Sequence, residues 1–466
     1  CSRDELGTGV QSCALPIWLG YTLHFPDWLT IFLAQGLGGG INTVLPLVPQ
    51  IGMMYLFLSF LEDSGYMARA AFVMDRLMQA LGLPGKSFVP LIVGFGCNVP
   101  SVMGARTLDA PRERLMTIMM APFMSCGARL AIFAVFSAAF FGQQGALTVF
   151  SLYVLGIVMA ILTGLMLKHT IMRGEASPFI MELPVYHVPH LKSLVLQTWQ
   201  RLKGFVLRAG KVIVIVSIFL SALNSFSLAG KTVDNINGSA LASVSRVFTP
   251  LLQPIGVQPD HWQATVGLFT GAMAKEVVVG TLNTLYTAET IHNAEFNPQE
   301  FSLTGELEAA LDETWTSLKD TFSLSVLANP IEASKGDGEM ETGTMGVMSE
   351  KFGSASAAYS YLIFVLLYIP CISVMGAIAR ESSRGWMGFS VLWGLNIAYS
   401  LATLFYQTTN FSSHPTYSLT CILAVILFTI VVIGSLRRAR SRVDVNLLAT
   451  RKTPASGCES PAGDCH

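Results

Sequence analysis

The sequence predicts an all-α protein that crosses a membrane many times. Of the 466 residues, 52% are hydrophobic and only 13% are charged, against about 25% charged residues in ordinary soluble domains. Apolar stretches of about 20 residues, the length that carries a helix across a bilayer, recur along the chain. Two of them share an interrupted pattern, which indicates an internal repeat with a broken helix in each copy. Together with a mean hydropathy of +0.53, these observations exclude an ordinary soluble enzyme.

The first interrupted stretch covers 93–105 and reads VGFGCNVPSVMGA. Pro100 lacks a backbone N–H and pushes the preceding Val99 toward extended geometry. Gly94 and Gly96 weaken the helix on the other side. We therefore expect unwound backbone here. Inside a bilayer, such backbone is tolerated only where protein buries it or it lines a wet cavity, so the stretch predicts a site for a polar or ionic substrate.

The run Ser-Val-Met-Gly-Ala at 101–105 returns unchanged at 373–377. A cysteine precedes each run: Cys97 in the first copy and Cys371, beside Pro370, in the second. Many transporters build a site at the membrane midplane from paired repeats that each contain a discontinuous helix. The repeat therefore favours a transporter.

An acidic residue within an apolar stretch stands upstream of each cysteine. Glu62 lies 35 residues before Cys97, and Glu276 lies 95 residues before Cys371. The acidic insert 286–354 falls inside the longer interval and accounts for the difference. In both halves, an acidic residue thus comes first and a cysteine at a predicted helix break follows it.

We expect about eight to ten transmembrane or re-entrant helices. Candidate spans lie near residues 41–61, 66–83, 86–104, 113–141, 147–168, 205–228, 262–286, 355–379, 386–408 and 416–436. The predicted organisation is an extraneous, adapter-like segment at 1–17, a first repeat at 18–168, a cytoplasmic or interfacial connector at 169–204, a second repeat with the acidic insert at 205–436, and a basic, cysteine-containing tail at 437–466. Basic residues in the connector and tail predict that both face the cytoplasm.

Charged side chains inside apolar stretches are costly and must face protein or water. Those that need partners are Arg69, Arg129 and Lys275. A central arginine in a membrane helix costs about 2.5–3.5 kcal/mol on insertion scales, so we expect a carboxylate beside Arg129. The candidates are Glu62, Asp63 and Glu276.

The segment Ala80–Ser87 fits a loose form of the phosphate-binding loop. That motif needs a preceding strand and a following helix N-terminus to hold phosphate. Here it joins two membrane segments and contains Pro84, so a simple connection is the favoured interpretation.

Some of the cysteines lie within apolar spans, namely Cys97, Cys126, Cys371 and Cys421. Membrane-embedded thiols serve as packing residues or metal ligands rather than disulfide partners. Cys421 has no motif around it, and we assign it to packing.

These motifs resemble the membrane portion of the ferrous iron transport protein B family, iron importers of the bacterial inner membrane. The stretches that carry the resemblance are Leu61–Arg69, Gly94–Pro100, Leu183–Lys192, Gly271–Glu276 and Tyr368–Cys371. The resemblance covers 18–466 and implies two gate regions of the nucleoside-recognition type around a family-specific middle segment. The family's N-terminal GTP-binding domain has no counterpart in this sequence. We therefore expect no enzymatic activity from this chain. We expect GTP and Mg to be bound only by the whole protein.

The resemblance implies Fe(II) as the substrate and no bound cofactor. Fe(II) accepts thiolate, imidazole and carboxylate, and sulfur ligands help to distinguish it from Mg and Ca. The family's gate cysteines match Cys97, Cys126 and Cys371. The predicted path also includes acids and polar or thioether residues near the breaks, namely Glu62, Glu276, Asn98, Met103, Ser373 and Met375. Two alternatives stay open. The cysteines and methionines could serve only in packing, and the two acids could pair with Arg129, Arg69 or Lys275.

The resemblance further implies a multi-pass protein of the bacterial inner membrane, surrounded by lipid. Small accessory proteins and a homo-oligomer are compatible with it, and nucleic acid is not an expected partner. Two other functions remain in view: a carrier of nucleosides or other organic solutes, with Phe95 as the aromatic nearest a break, and a membrane NTPase that uses Ala80–Ser87. A fragment that is inert by itself is a further alternative.

Overall fold

The computed structural model describes residues 37–38, 47–172, 186–225, 238–273, 275, 277–290, 348, 351–412 and 414–439. Within these ranges the regular elements are helices, which confirms the predicted all-α class. In chain order the α-helices are α1 (Leu47–Asp63), α2 (Tyr66–Leu81), α3 (Phe88–Gly96), α4 (Asn98–Gly104), α5 (Pro111–Met120), α6 (Gly127–Phe140), α7 (Gly145–Thr170), α8 (Leu191–Phe205), α9 (Lys211–Ser225), α10 (Ala240–Phe248), α11 (Trp262–Met273), α12 (Val277–Thr290), α13 (Ala355–Leu367), α14 (Ile372–Glu381), α15 (Arg384–Thr409) and α16 (Pro415–Ala439).

Five helical stretches in the described residues are long and apolar enough to cross a membrane: Pro111–Phe140, Gly145–Thr170, Ala355–Glu381, Arg384–Thr409 and Pro415–Arg437. A sixth forms if α2 and the segment Gly85–Gly96, bent by 100° relative to each other, count as one span. The total of eight to ten stays a prediction, because shorter helices also cross membranes when they are part of a broken span. The domain boundaries also stay predictions.

Glycines bound the amphipathic helix α2. Gly65 precedes it with φ 79° and Gly82 follows it with φ 78°, a backbone conformation that residues with a side chain adopt at a cost. The N–H of Gly82 donates to Gln79 O at 2.9 Å and closes the last turn. Pro84 follows soon after, so the chain cannot continue the helix and turns toward α3.

One hydrophobic core joins the two predicted repeats. Helix α4 from the first repeat packs against α14 from the second, and α6 and α7 both pack against α13. The shared core brings the two broken helices together even though the stretches are separated by more than half of the chain.

Basic side chains collect where several helices end. Arg112 Nε donates to Met172 O at 2.9 Å, and Lys168 Nζ donates to Ala80 O at 3.0 Å. We call this region the basic end and define it by Lys86, Arg106, Arg112, Arg114, Lys168 and Arg380. The distribution is typical of the cytoplasmic side of a membrane protein.

Candidate functional site

The first interruption consists of one residue, Cys97. Helix α3 ends at Gly96, Cys97 is extended with φ −153° and ψ 131°, and α4 begins at Asn98. The prediction that Val99 and Pro100 are unwound is wrong, because both lie in the first turn of α4. Proline is tolerated there, since the first N–H groups of a helix have no intrahelical partner.

The second interruption is longer and ends at the matching cysteine. Helix α13 ends at Leu367, Tyr368 is extended, and the buried Pro370 precedes Cys371. Cys371 is the N-cap residue of α14, with φ −59° and ψ 155°. Ser373 and Met375 follow as half-buried residues of α14. Both copies of the repeated run therefore enter a helix directly after a cysteine.

A third interruption lies within the span predicted as one helix at 113–141. Helix α5 ends at Met120, a 3-10 turn follows, and Met124 is extended with φ −68° and ψ 129°. Cys126 is the N-cap residue of α6, with φ −82° and ψ 164°. Sequence analysis missed this break, although Pro122 was a local signal for it.

The three candidate cysteines thus occupy the same structural position, the N-cap of a membrane helix that follows an interruption. All three are half-buried. The three thiols therefore stand at equivalent places, each at the start of the helix that follows an interruption.

Arg129 stabilises the third interruption through carbonyl groups. Its side chain is 0% exposed; it donates to Pro122 O at 3.1 Å and to Met124 O at 3.0 Å. Of the predicted carboxylate partners, Glu62 pairs with Arg201 at 2.9 Å, and a carboxylate beside Arg129 stays a prediction. Glu276 lies outside the described residues. The break frees carbonyls that need donors, and a guanidinium offers five N–H groups.

Asn98 connects the first interruption to the third. Its Nδ2 donates to Met124 O at 3.3 Å, the same carbonyl that Arg129 contacts. A Cβ placed on Gly94 would lie 3.0 Å from Met124 Cβ, so glycine permits this close approach. A Cβ on Gly96 would likewise lie 3.1 Å from Met54 Sδ.

The two other membrane-embedded cations lie over aromatic rings. Lys275 is 3% exposed, and its Nζ lies 4.6 Å from the centroid of Tyr368. Arg69 Cζ lies 3.6 Å from the centroid of Tyr186. Such contacts contribute about 0.5–2 kcal/mol each. Neither cation pairs with Glu62, so that alternative role of Glu62 is wrong.

The predicted ligands do not assemble into one compact cluster. Among the described residues, no group of three or more His, Cys, Asp or Glu side chains could hold a metal ion. Glu62 lies at the end of α1 in its ion pair, and Met103 lines a cavity at the basic end. The described residues therefore show the cysteines at the interruptions without a group of three or more such ligands around them.

The Ala80–Ser87 segment does not form a phosphate-binding loop. Helix α2, not a strand, leads into it, and the N–H of Gly85 donates to Asp75 Oδ1 at 2.8 Å. The N–H of Ser87 donates to Pro84 O at 2.9 Å, and Lys86 pairs with Asp109 at 3.4 Å. These groups are engaged within the protein instead of forming an open phosphate cradle.

Sequence analysis also missed an ion-pair group between the repeats. Glu381, at the end of α14, contacts both Arg106 and Arg114. Its side chain is 2% exposed. Only a weak sequence signal existed, because Arg106 follows the first Ser-Val-Met-Gly-Ala run and Glu381 lies just beyond the second.

Two protein-family models match the chain. The Gate model, described as nucleoside recognition, matches residues 44–140 and 206–384. The model for the ferrous iron transport protein B C terminus matches residues 149–201. The Gate model alone accounts for more than half of the chain.

Curated relatives have closely similar sequences. The Fe(2+) transporter FeoB of Salmonella typhimurium strain LT2 is 86% identical over 449 residues, and that of Escherichia coli strain K12 is 86% identical over 450 residues. Each match covers 96% of this chain and 58% of the relative. The chain thus spans somewhat more than half the length of these relatives. No solved structure matches it.

Proposed function

This chain belongs to the ferrous iron transport protein B family, and on that premise we propose that it forms the membrane path of an Fe(II) importer. The relatives are named as Fe(2+) transporters, and the family-level resemblance in the motifs is confirmed. The observation that carries the proposal is the shared position of Cys97, Cys126 and Cys371, each at an interrupted membrane helix.

The chemistry of these positions suits a transported soft cation. Thiolates bind Fe(II) in preference to Mg or Ca, and each of the three cysteines stands at the start of a helix that follows an interruption. A path must bind an ion well enough to admit it and weakly enough to release it. Cysteines supplemented by backbone carbonyls at the breaks and by water meet that requirement better than a closed cage of protein ligands.

Asn98, Met103, Ser373 and Met375 belong to the proposed path because they follow the two repeated cysteines on α4 and α14. The residues that allow the helices to break or to pack closely are Gly94, Gly96, Pro100 and Pro370. Glu276 stays in the proposal on its sequence position alone. Glu62 is better placed as the partner of Arg201 than as a ligand.

The proposal is tested by anaerobic uptake of labelled Fe(II) into vesicles that contain the whole protein. Cys97→Ser, Cys126→Ser and Cys371→Ser are compared at equal membrane abundance, with Cys421→Ser as the matched control, since Cys421 lies within the uninterrupted helix α16. We expect uptake to fall about tenfold or more in the three variants and to persist in the control. Unchanged uptake in all three would reject the cysteine path.

A carrier of nucleosides is the second candidate, because the Gate model is described as nucleoside recognition. The aromatic residue beside the first break is already engaged: the ring of Phe95 stacks on Tyr153 with centroids 6.2 Å apart. Competition of unlabelled nucleosides with Fe(II) uptake separates the two functions, and the iron path predicts no competition.

The proposal extends to the whole protein. We place it in the bacterial inner membrane with the basic end toward the cytoplasm, and we assign GTP and Mg binding to a domain outside this chain. Accessory proteins and a homo-oligomer remain compatible with the family resemblance. Nucleotide-dependent uptake by the whole protein, absent from a protein limited to this chain, tests the assignment.

A further inference from the structure

A cavity of about 160 Å³ lies at the basic end between α1, α4, α8 and α14. Its polar lining consists of Arg106, Arg201, Arg380, Gln200, Glu381 and Tyr55. A single water needs roughly 10–15 Å³ of such volume, so the cavity has room for several waters or one polyatomic ion. Met103 contributes to the wall, which places the cavity beside the proposed iron path.

The charges around this cavity do not cancel. Glu381 is shared between Arg106 and Arg114, and Glu62 pairs with Arg201. Arg380 donates through Nε to Gly376 O at 3.1 Å, and among the described residues it forms no ion pair. The lining thus holds three arginines and one carboxylate, Glu381, and an excess of one positive charge remains when Glu62 is counted as the partner of Arg201.

Three arginines around one cavity disfavour a resident divalent cation and favour an anion. Guanidinium groups present planar pairs of N–H donors, which match the oxygens of phosphate and other oxyanions. The walls also supply hydrogen-bonding groups through Gln200 and Tyr55. The chemistry thus fits a phosphate group better than chloride, because a phosphate offers a separate oxygen to each of two paired N–H donors and chloride offers a single atom.

We propose that this cavity is a binding site for a phosphate-class oxyanion, held by Arg106, Arg201 and Arg380. The phosphate comes either from a soluble anion or from the headgroup of an anionic lipid, since both occur at the basic face of a membrane protein. The cavity shares Met103 with the proposed iron path, but the three arginines that hold the anion are not among the proposed iron ligands. An anion bound there competes with Glu381 for Arg106 and so acts on the contact between the two repeats.

The test measures thermal unfolding of the protein in phosphatidylcholine nanodiscs without iron, while inorganic phosphate replaces chloride at constant ionic strength. A ligand that binds the folded state raises the unfolding temperature by mass action. A second set of nanodiscs contains phosphatidylglycerol and no free phosphate. Arg380→Gln is the test variant, because Arg380 is exposed and outside the ion pairs; Arg384→Gln, exposed and outside the lining, is the matched control.

We expect Arg380→Gln to weaken the stabilisation by about tenfold or more in apparent affinity and Arg384→Gln to retain it. If free phosphate stabilises the wild type and Arg384→Gln but not Arg380→Gln, the ligand is a soluble anion. If only phosphatidylglycerol gives this result, the ligand is the lipid headgroup. Stabilisation that survives Arg380→Gln, or no stabilisation in either arm, would overturn the proposal. If the glutamine variant does not fold, Arg380→Lys replaces it. Lysine keeps the positive charge but lacks the paired N–H donors of the guanidinium, and it is compared with Arg384→Gln in the same way. Because iron is absent, the result is independent of the uptake experiment.

Discussion

Arg106 and Glu381 are 275 positions apart in the sequence and form an ion pair between the two repeats. Arg106 Nε donates to Glu381 Oε2 at 2.6 Å, and a second guanidinium nitrogen donates to Oε1. The hydrogen bond to Glu381 raises the pKa of Arg106 above its ordinary value. Arg114 adds a further contact at 2.7 Å. A carboxylate this deeply buried requires such compensation.

Glu381→Gln should destabilise the protein by about 2 kcal/mol, because it removes the charge partner of the half-buried Arg114 and of Arg106. The exposed pair Lys86–Asp109 supplies the control, since the side chain of Asp109 is 90% exposed. Asp109→Asn should cost less than about 1 kcal/mol. Denaturant unfolding in mild detergent measures both, and equal losses would show that Glu381 is an ordinary surface partner.

Arg129→Met should destabilise the protein by about 2–4 kcal/mol, because the carbonyls of Pro122 and Met124 lose their donor inside the membrane. It should also raise the rate at which a thiol reagent modifies Cys126, since the same carbonyls hold the backbone beside that cysteine. Arg437→Met, at an exposed position of α16, is the control. A fall in stability with no change in Cys126 reactivity would contradict the role of Arg129 at the break.

Gly94→Ala should cost about 1 kcal/mol or more, because its Cβ would lie 3.0 Å from Met124 Cβ and overpacking strains the core. The matched change is Gly376→Ala in α14, where no heavy atom lies within 4 Å of the new Cβ. That variant should be stabilised by up to about 1 kcal/mol through helix propensity. Thermal unfolding compares the two variants. If both substitutions shift the unfolding temperature in the same direction, the packing argument is refuted.

His261 predicts a pH dependence of stability. Burial, with a smaller contribution from Lys351, lowers the pKa of this side chain from 6.5 to about 3. Its Nε2 lies 2.5 Å from the Tyr286 hydroxyl, and its ring centroid lies 4.5 Å from that of Phe352. The unfolded chain binds a proton below pH 6.5 that the folded protein does not bind. Stability from this residue is therefore complete above pH 6.5 and is lost as the pH falls toward 3.

The expected slope is about 1.4 kcal/mol per pH unit in that window. His261→Gln should flatten the slope between pH 6 and about 4, whereas His169→Gln, at an exposed position, should leave it unchanged. Unfolding in denaturant at several pH values provides the measurement. Parallel profiles for the wild type and His261→Gln would exclude His261 as the source.

The broken helices illustrate what local sequence predicts well. Gly94, Gly96 and Pro370 are poor interior residues of a helix whatever surrounds them, so interruptions near Cys97 and Cys371 were predictable. Their extent was not. Pro100 has the same chemistry, yet it lies inside α4, because the first turn of a helix does not need its N–H.

By itself, the sequence determined the membrane class, the repeated cysteine motif and the family, because hydrophobicity and backbone chemistry are properties of short segments. The tertiary structure decided which groups compensate the buried charges. Arg129 donates to the carbonyls of Pro122 and Met124, Glu62 pairs with Arg201, and Glu381 pairs with arginines from the opposite repeat. A charged side chain accepts any partner of suitable polarity within reach, and only the packing of distant helices determines which partner that is.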